Sequence, residues 1–93
     1  MKEKQIEKKL AMEVKKRGGV AFKFASPNFD GMPDRIVLMP GGKMAFVELK
    51  APGCKLRPLQ LRRKAQLEAL GFRVFVVDNA DQIGGVLDDI SAS

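Results

Sequence analysis

At 93 residues, 45% apolar and 30% charged, the chain has room for one domain with a modest core, taken here as residues 1–93. Lys and Arg number 17 against 11 Asp and Glu, a formal charge of +6, so a polyanion (nucleic acid or an anionic membrane) suits its surface. There is no His and a single Cys, Cys54, which excludes a Ser-His or Cys-His catalytic pair, a His- or Cys-built zinc site, an iron–sulfur cluster within one chain and an internal disulfide. What remains is carboxylate, lysine and hard-cation chemistry.

Ile6, Leu10 and Val14 recur at helical spacing and predict a helix over 2–17, ended by Gly18-Gly19 after a basic last turn of Lys15, Lys16 and Arg17. VAFKF at 20–24 reads as a short strand, and the turn-rich 25–33 as a loop. Two apolar runs, 34–39 and 43–49, flank Pro40-Gly41-Gly42 and predict a β-hairpin in a sheet covered on both faces. A basic loop over 51–57 leads to Pro58 at the first position of a helix reaching about Leu70, without one clean apolar stripe. FRVFVV at 72–77 reads as a strand, and Asp78 or Asn79 as the cap of a last helix over 80–90, against the Gly84-Gly85 pair. The order is α-β-β-β-α-β-α, an α/β domain without an apolar run long enough to cross a bilayer or a signal-peptide pattern, hence an expected cytoplasmic location.

The hairpin carries the chemistry. A turn centred on Gly41 sets Asp34 opposite Glu48, Ile36 opposite Phe46 and Leu38 opposite Met44. Directly opposed Cβ atoms lie about 4.5–5.5 Å apart, so two carboxylates meet where like charge destabilises a sheet unless a cation joins them. Lys50, two residues beyond Glu48, projects from the same face. Mg²⁺ uses one or two carboxylates plus water and phosphate oxygens, and activates a bound water; a nearby ammonium adds charge where the transition state needs it. A solvated surface hairpin would explain the three residue types as well, but not why a charged pair emerges from the apolar run Met44-Ala45-Phe46-Val47.

Pro33-Asp34 and Glu48-Leu49-Lys50 resemble the PD-(D/E)xK nuclease signature. With Lys16-Arg17-Gly18-Gly19, Phe22-Lys23-Phe24, Gly31-Met32-Pro33-Asp34, Phe46 to Gly53, Leu56 to Gln60 and Leu70 to Val74, the chain resembles the VRR-NUC family of virus-type replication-repair nucleases over nearly its whole length. The resemblance implies a restriction-endonuclease-like core with a central mixed sheet flanked by helices. It implies a Mg²⁺- or Mn²⁺-dependent endodeoxyribonuclease with Asp34, Glu48 and Lys50 at its centre. A helix carboxylate joins the metal site, Glu7 matching best and Glu3 competing; the Val47 carbonyl is a further ligand; Gln60 holds a water or a phosphate.

Lys23 beside the loop, and the run Lys55, Arg57, Arg62, Arg63 and Lys64, are candidate phosphate contacts, giving salt-dependent affinity without sequence readout. Phe29 is a candidate wedge against a base pair, with core packing the competing role; Cys54 is incidental. The family leans towards branched or flapped DNA in repair, recombination and phage replication. Such a substrate needs more contact surface than one domain of this size offers, hence an expected homodimer. The competing function is a basic DNA-binding module without catalysis; a membrane-surface role lacks a basic amphipathic helix with a large apolar face.

Overall fold

The i, i+4, i+8 stripe of Ile6, Leu10 and Val14 is the face that α1 (Glu3–Lys16) buries in the computed structural model, which describes residues 2–93. Gln5 Oε1 accepts from the Lys2 N–H at 2.8 Å, covering one of the donors a helix start leaves unpaired. The chain then forms β1 (Val20–Lys23), β2 (Arg35–Met39), β3 (Lys43–Leu49), α2 (Pro58–Ala69), β4 (Val74–Val77), a 3₁₀ turn at Ala80–Gln82 and α3 (Ile83–Ala92). The four strands make one mixed sheet in chain order, β1–β2–β3 antiparallel and β4 parallel to β3. A parallel pair needs a crossover, and α2 supplies it.

The expected element order is therefore observed, with small changes at the ends. Asp34 lies just before β2 rather than inside it, and β4 begins at Val74, two residues later than its apolar composition suggests. Of the two candidate caps, the Asn79 side chain takes the role, accepting from the Asp81 N–H at 2.8 Å. Gly84-Gly85 does not break α3, because Ile83, Leu87 and Ile90 are fully buried and anchor it from one side.

Two cores lie on opposite faces of the sheet. One joins Ile6, Leu10 and Val14 of α1 and Ile83, Leu87 and Ile90 of α3 to Val37, Ala45, Val47 and Leu49. The other is small, Phe46, Val74 and Leu67 of α2, with Phe24, Met32, Ile36 and Met44 packed against it. The sequence suggested that both hairpin strands were covered on both faces. This holds for the centre of β3, but Leu38 of β2 is exposed, as are Val20 and Phe22 of β1. One helix is too narrow to cover four strands, so the β1–β2 half of the α2-side face stays open. At Gly19 an added Cβ would lie 2.3 Å from the Leu38 carbonyl oxygen, so only glycine lets the turn after α1 reach the sheet there.

Candidate active site at the end of the hairpin

The hairpin register is the one the turn dictates: Ile36 opposes Phe46, Leu38 opposes Met44, and Arg35 opposes Val47. Continued by one residue, it brings Asp34 to Glu48. The contact is through the backbone: the Asp34 N–H donates to Glu48 Oε1 at 3.1 Å, while Asp34 Oδ1 accepts from the Leu49 N–H at 3.1 Å. Each acid thus occupies a ladder position that the end of β2 leaves open. Lys50 Nζ stands 3.4 Å from Glu48 Oε2. Gln60 Nε2 donates to that same oxygen at 3.1 Å, while its Oε1 accepts from the Arg57 N–H at 2.9 Å. The half of a capping box that starts α2 thereby orients the amide, with its NH₂ turned to Glu48.

Backbone parity identifies another oxygen. The N–H groups of Phe46 and Lys50 bond to Arg73 and Val77 on the β4 side, so the backbone groups of Val47 and Leu49 face β2. Val47 lies opposite Arg35 inside the ladder. Its carbonyl is therefore a sheet acceptor, and the expectation that it lines the site gives way to Leu49. The register continued past Asp34 opposes Leu49 to Pro33, which has no N–H to give. On that continued register the ladder offers the Leu49 carbonyl no donor. Two carboxylates, with this carbonyl as a candidate third oxygen, are of the donor type that suits Mg²⁺ or Mn²⁺.

Glu7 is not brought to these groups. Its Oε2 lies 2.7 Å from Nη2 of Arg35, whose Nη1 lies 3.1 Å from Asp34 Oδ2 and also donates to the Asp34 carbonyl at 2.9 Å. Glu7 therefore reaches the centre only through a guanidinium. Among the described residues, no three His, Cys, Asp or Glu side chains converge as a metal cage. Glu3, the competing helix acid, is exposed. Arg35 itself was missed in the sequence, although a charge between the candidate acid Asp34 and the apolar Ile36-Val37 was the available signal. It is buried, and a buried cation needs partners.

Burial raises the pKa of Glu48, and the neighbouring Asp34 charge raises it further, against the opposing pull of Lys50. Folding therefore favours protonated Glu48, so the folded state holds more protons than the unfolded one above the ordinary glutamate range. The metal-free protein is expected to lose stability as pH rises through that window up to the raised value. Urea denaturation at stepped pH checks this: Glu48→Gln should flatten the slope, and superimposable profiles for the two proteins would refute it.

The candidate phosphate contacts divide. Among the described residues, Lys23, Lys55, Arg57 and Arg62 form no ion pair. Lys64 is paired with Glu68 at 3.1 Å. Arg63 is spent inside the protein: its Nε donates to the Asp30 carbonyl at 2.8 Å, Nη1 to Gln66 Oε1 at 2.7 Å, and its guanidinium lies 3.7 Å from the centre of the Phe29 ring. Phe29 is accordingly neither core nor free, but half of a clasp that holds the 25–33 loop on α2. A cleft of about 480 Å³ lined by Asp30, Gly31, Arg57, Pro58, Leu59 and Gln60 opens beside that clasp. Cys54 is exposed.

The model of the VRR-NUC domain matches residues 9–81, spanning Asp34, Glu48, Lys50 and Gln60 and leaving Glu7 outside. A protein named "Putative nuclease p44", from Acyrthosiphon pisum secondary endosymbiont phage 1, is 54% identical over 81 residues, 87% of each chain. A solved VRR_NUC domain superposes with a TM-score of 0.85 at 30% identity, covering 92% of this chain and 94% of that one.

Proposed function

The chain belongs to the VRR-NUC domain family, and from that premise we propose that it is a Mg²⁺- or Mn²⁺-dependent endodeoxyribonuclease that cuts branched or flapped DNA. The observation that carries this reading is the meeting of Asp34 and Glu48 at the end of the hairpin, with Lys50 alongside.

Asp34 and Glu48 would hold the ion, and the Leu49 carbonyl would be the protein's further oxygen. The chemistry such an ion would supply is Lewis acidity towards the phosphate and a bound water of lowered pKa. Lys50 points its ammonium to the same place, where it orients the attacking water and offsets charge gathering on the phosphate oxygens. Gln60 keeps Glu48 Oε2 fixed, so its part is to hold a metal ligand rather than to touch DNA. The unpaired cations Lys23, Lys55, Arg57 and Arg62 grip the phosphate backbone, which gives shape-dependent binding without base readout. Replacing Lys55 and Arg57 by Ala should lower the steepness of affinity against salt by about two, equally for all sequences. Fluorescence anisotropy over a KCl series measures this, and an unchanged slope removes both residues from the DNA surface.

A homodimer fits the substrate, since two copies present two cutting sites to a branch. The open apolar half of the sheet face, Val20, Phe22 and Leu38, supports that assembly. A strictly monomeric form with full activity would overturn it. Among the described residues no helix is long and apolar enough to cross a membrane; we place the protein with DNA in the cytoplasm.

The deciding experiment incubates end-labelled linear, flap, splayed-arm and four-way DNA with the protein and Mg²⁺ or Mn²⁺. Cleavage of the branched substrates that vanishes with chelator and in Asp34→Ala establishes the function. Binding without cleavage under every metal condition would make the chain a DNA-binding module instead.

A further inference from the structure

Arg35 stands at an unusual place. Its side chain is only 8% exposed, and it spans two carboxylates: Nη2 holds Glu7 Oε2 at 2.7 Å and Nη1 holds Asp34 Oδ2 at 3.1 Å. Glu7 comes from α1, on the sheet face opposite α2, whereas Glu48 and Gln60 meet on the α2 side. Asp34 sits at the strand end where the two groups join, with one oxygen on the Leu49 N–H and the other on the guanidinium. The cluster therefore holds three carboxylates (Glu7, Asp34, Glu48) and two cations (Arg35, Lys50). A cleft of about 90 Å³ on the α1 side is lined by Glu7, Lys23, Arg35 and apolar neighbours.

Two carboxylates held on either side of one small site would be suited to a hard cation. Here a fixed cation is already between them, and a forked guanidinium matches paired carboxylates in geometry as well as charge. With all five groups ionised the cluster carries −1. One divalent ion takes it to +1, whereas a second would take it to +3 with Arg35 still touching the shared Asp34.

We propose that Arg35 is the resident cation of this site. It fills the place between Glu7 and Asp34 that a second ion would need, so one divalent ion is loaded, on Asp34 and Glu48. Glu7 acts on that ion only through Arg35. Both are positioning residues: Glu7 fixes the guanidinium, and the guanidinium fixes the outer oxygen of Asp34. The inference rests on the metal-dependent reading above and specifies its stoichiometry.

The test counts bound ions without DNA. Metal-free full-length protein is titrated with Mn²⁺ while electron paramagnetic resonance reports the free ion. One Mn²⁺ per chain is expected for the wild type. Two are expected for Arg35→Met, which opens the Glu7–Asp34 gap, and one again when Glu7→Gln is added. A wild-type count of two, or a folded Arg35→Met that still binds one, overturns the proposal and leaves the nuclease reading standing. A wild-type count of zero removes the metal-dependent reading itself. Circular dichroism establishes folding; if Arg35→Met does not fold, Arg35→Gln, which keeps hydrogen-bonding capacity without charge, carries the same expectations, and the wild-type count decides independently of either variant.

Discussion

Glu48→Gln is expected to lower metal-dependent DNA cleavage by about 10³-fold or more while leaving the protein folded. The substitution preserves volume and an oxygen for the Asp34 N–H, so the hairpin end keeps its shape. It removes a negative charge that the proposed seat for a divalent ion requires. It also sets a second NH₂ against the Gln60 amide and the Lys50 ammonium, where Glu48 Oε2 accepts from both. The two structural consequences oppose one another: a buried carboxylate is relieved, and a hydrogen-bonded acceptor is lost. Stability without metal at neutral pH should therefore change by about 1 kcal/mol or less. Lys50→Ala should cut turnover to a similar degree, with DNA affinity falling far less. Single-turnover cleavage of labelled branched DNA beside urea denaturation separates these effects. Activity of Glu48→Gln within ten-fold of wild type would remove the carboxylate from the chemistry.

Gly31→Ala carries the second large effect, and it acts through the loop that delivers Asp34. Gly31 has a φ of +85°, and a Cβ there would lie 2.8 Å from Leu59 Cγ and 2.9 Å from the Leu59 carbonyl oxygen. The left-handed conformation costs an L-residue about 1–2 kcal/mol, and the neighbouring oxygen belongs to the first turn of α2, which cannot swing aside like a side-chain tip. A total loss of about 2–4 kcal/mol is expected. The chain answers such strain by lifting the loop from α2. That weakens the Arg63–Phe29 clasp and the Arg63 bond to Asp30, four residues before Asp34. Cleavage should consequently fall by more than the unfolded fraction accounts for, and excess salt or DNA should not restore it. Denaturation within 0.5 kcal/mol of wild type, with full activity, would show that the loop has room that its packing denies.

Most of the fold was legible because its signals are local. The α1 stripe, the Pro40-Gly41-Gly42 turn and Pro58 at the start of α2 each act over a few residues, and the turn alone set the register from Arg35–Val47 to Met39–Lys43. The approach of Asp34, Glu48 and Lys50 to one another was legible for the same reason, since a hairpin register is a local property once the turn is known. Three features were not local. The half-open sheet depends on how far one helix extends across four strands. The roles of Arg63 and Phe29 depend on a loop meeting a helix some thirty residues further on. The pairing of Glu7 with Arg35 depends on how α1 lies over the sheet.

From residue order alone came the chemistry that is possible here: no histidine, one thiol, a basic surface, and two acids and a lysine meeting at a hairpin end. Periodicity and turn residues are enough for that, because strand and helix geometry repeat at fixed spacing. Only the packed structure decided which oxygens are unengaged. The Leu49 N–H goes to the Asp34 side chain where β2 has not yet begun, and the Glu7 carboxylate is occupied because Arg35 is turned inward and must be paired. Hydrogen-bond demand in a buried region is settled by neighbours in space, and those neighbours come from elements distant along the chain.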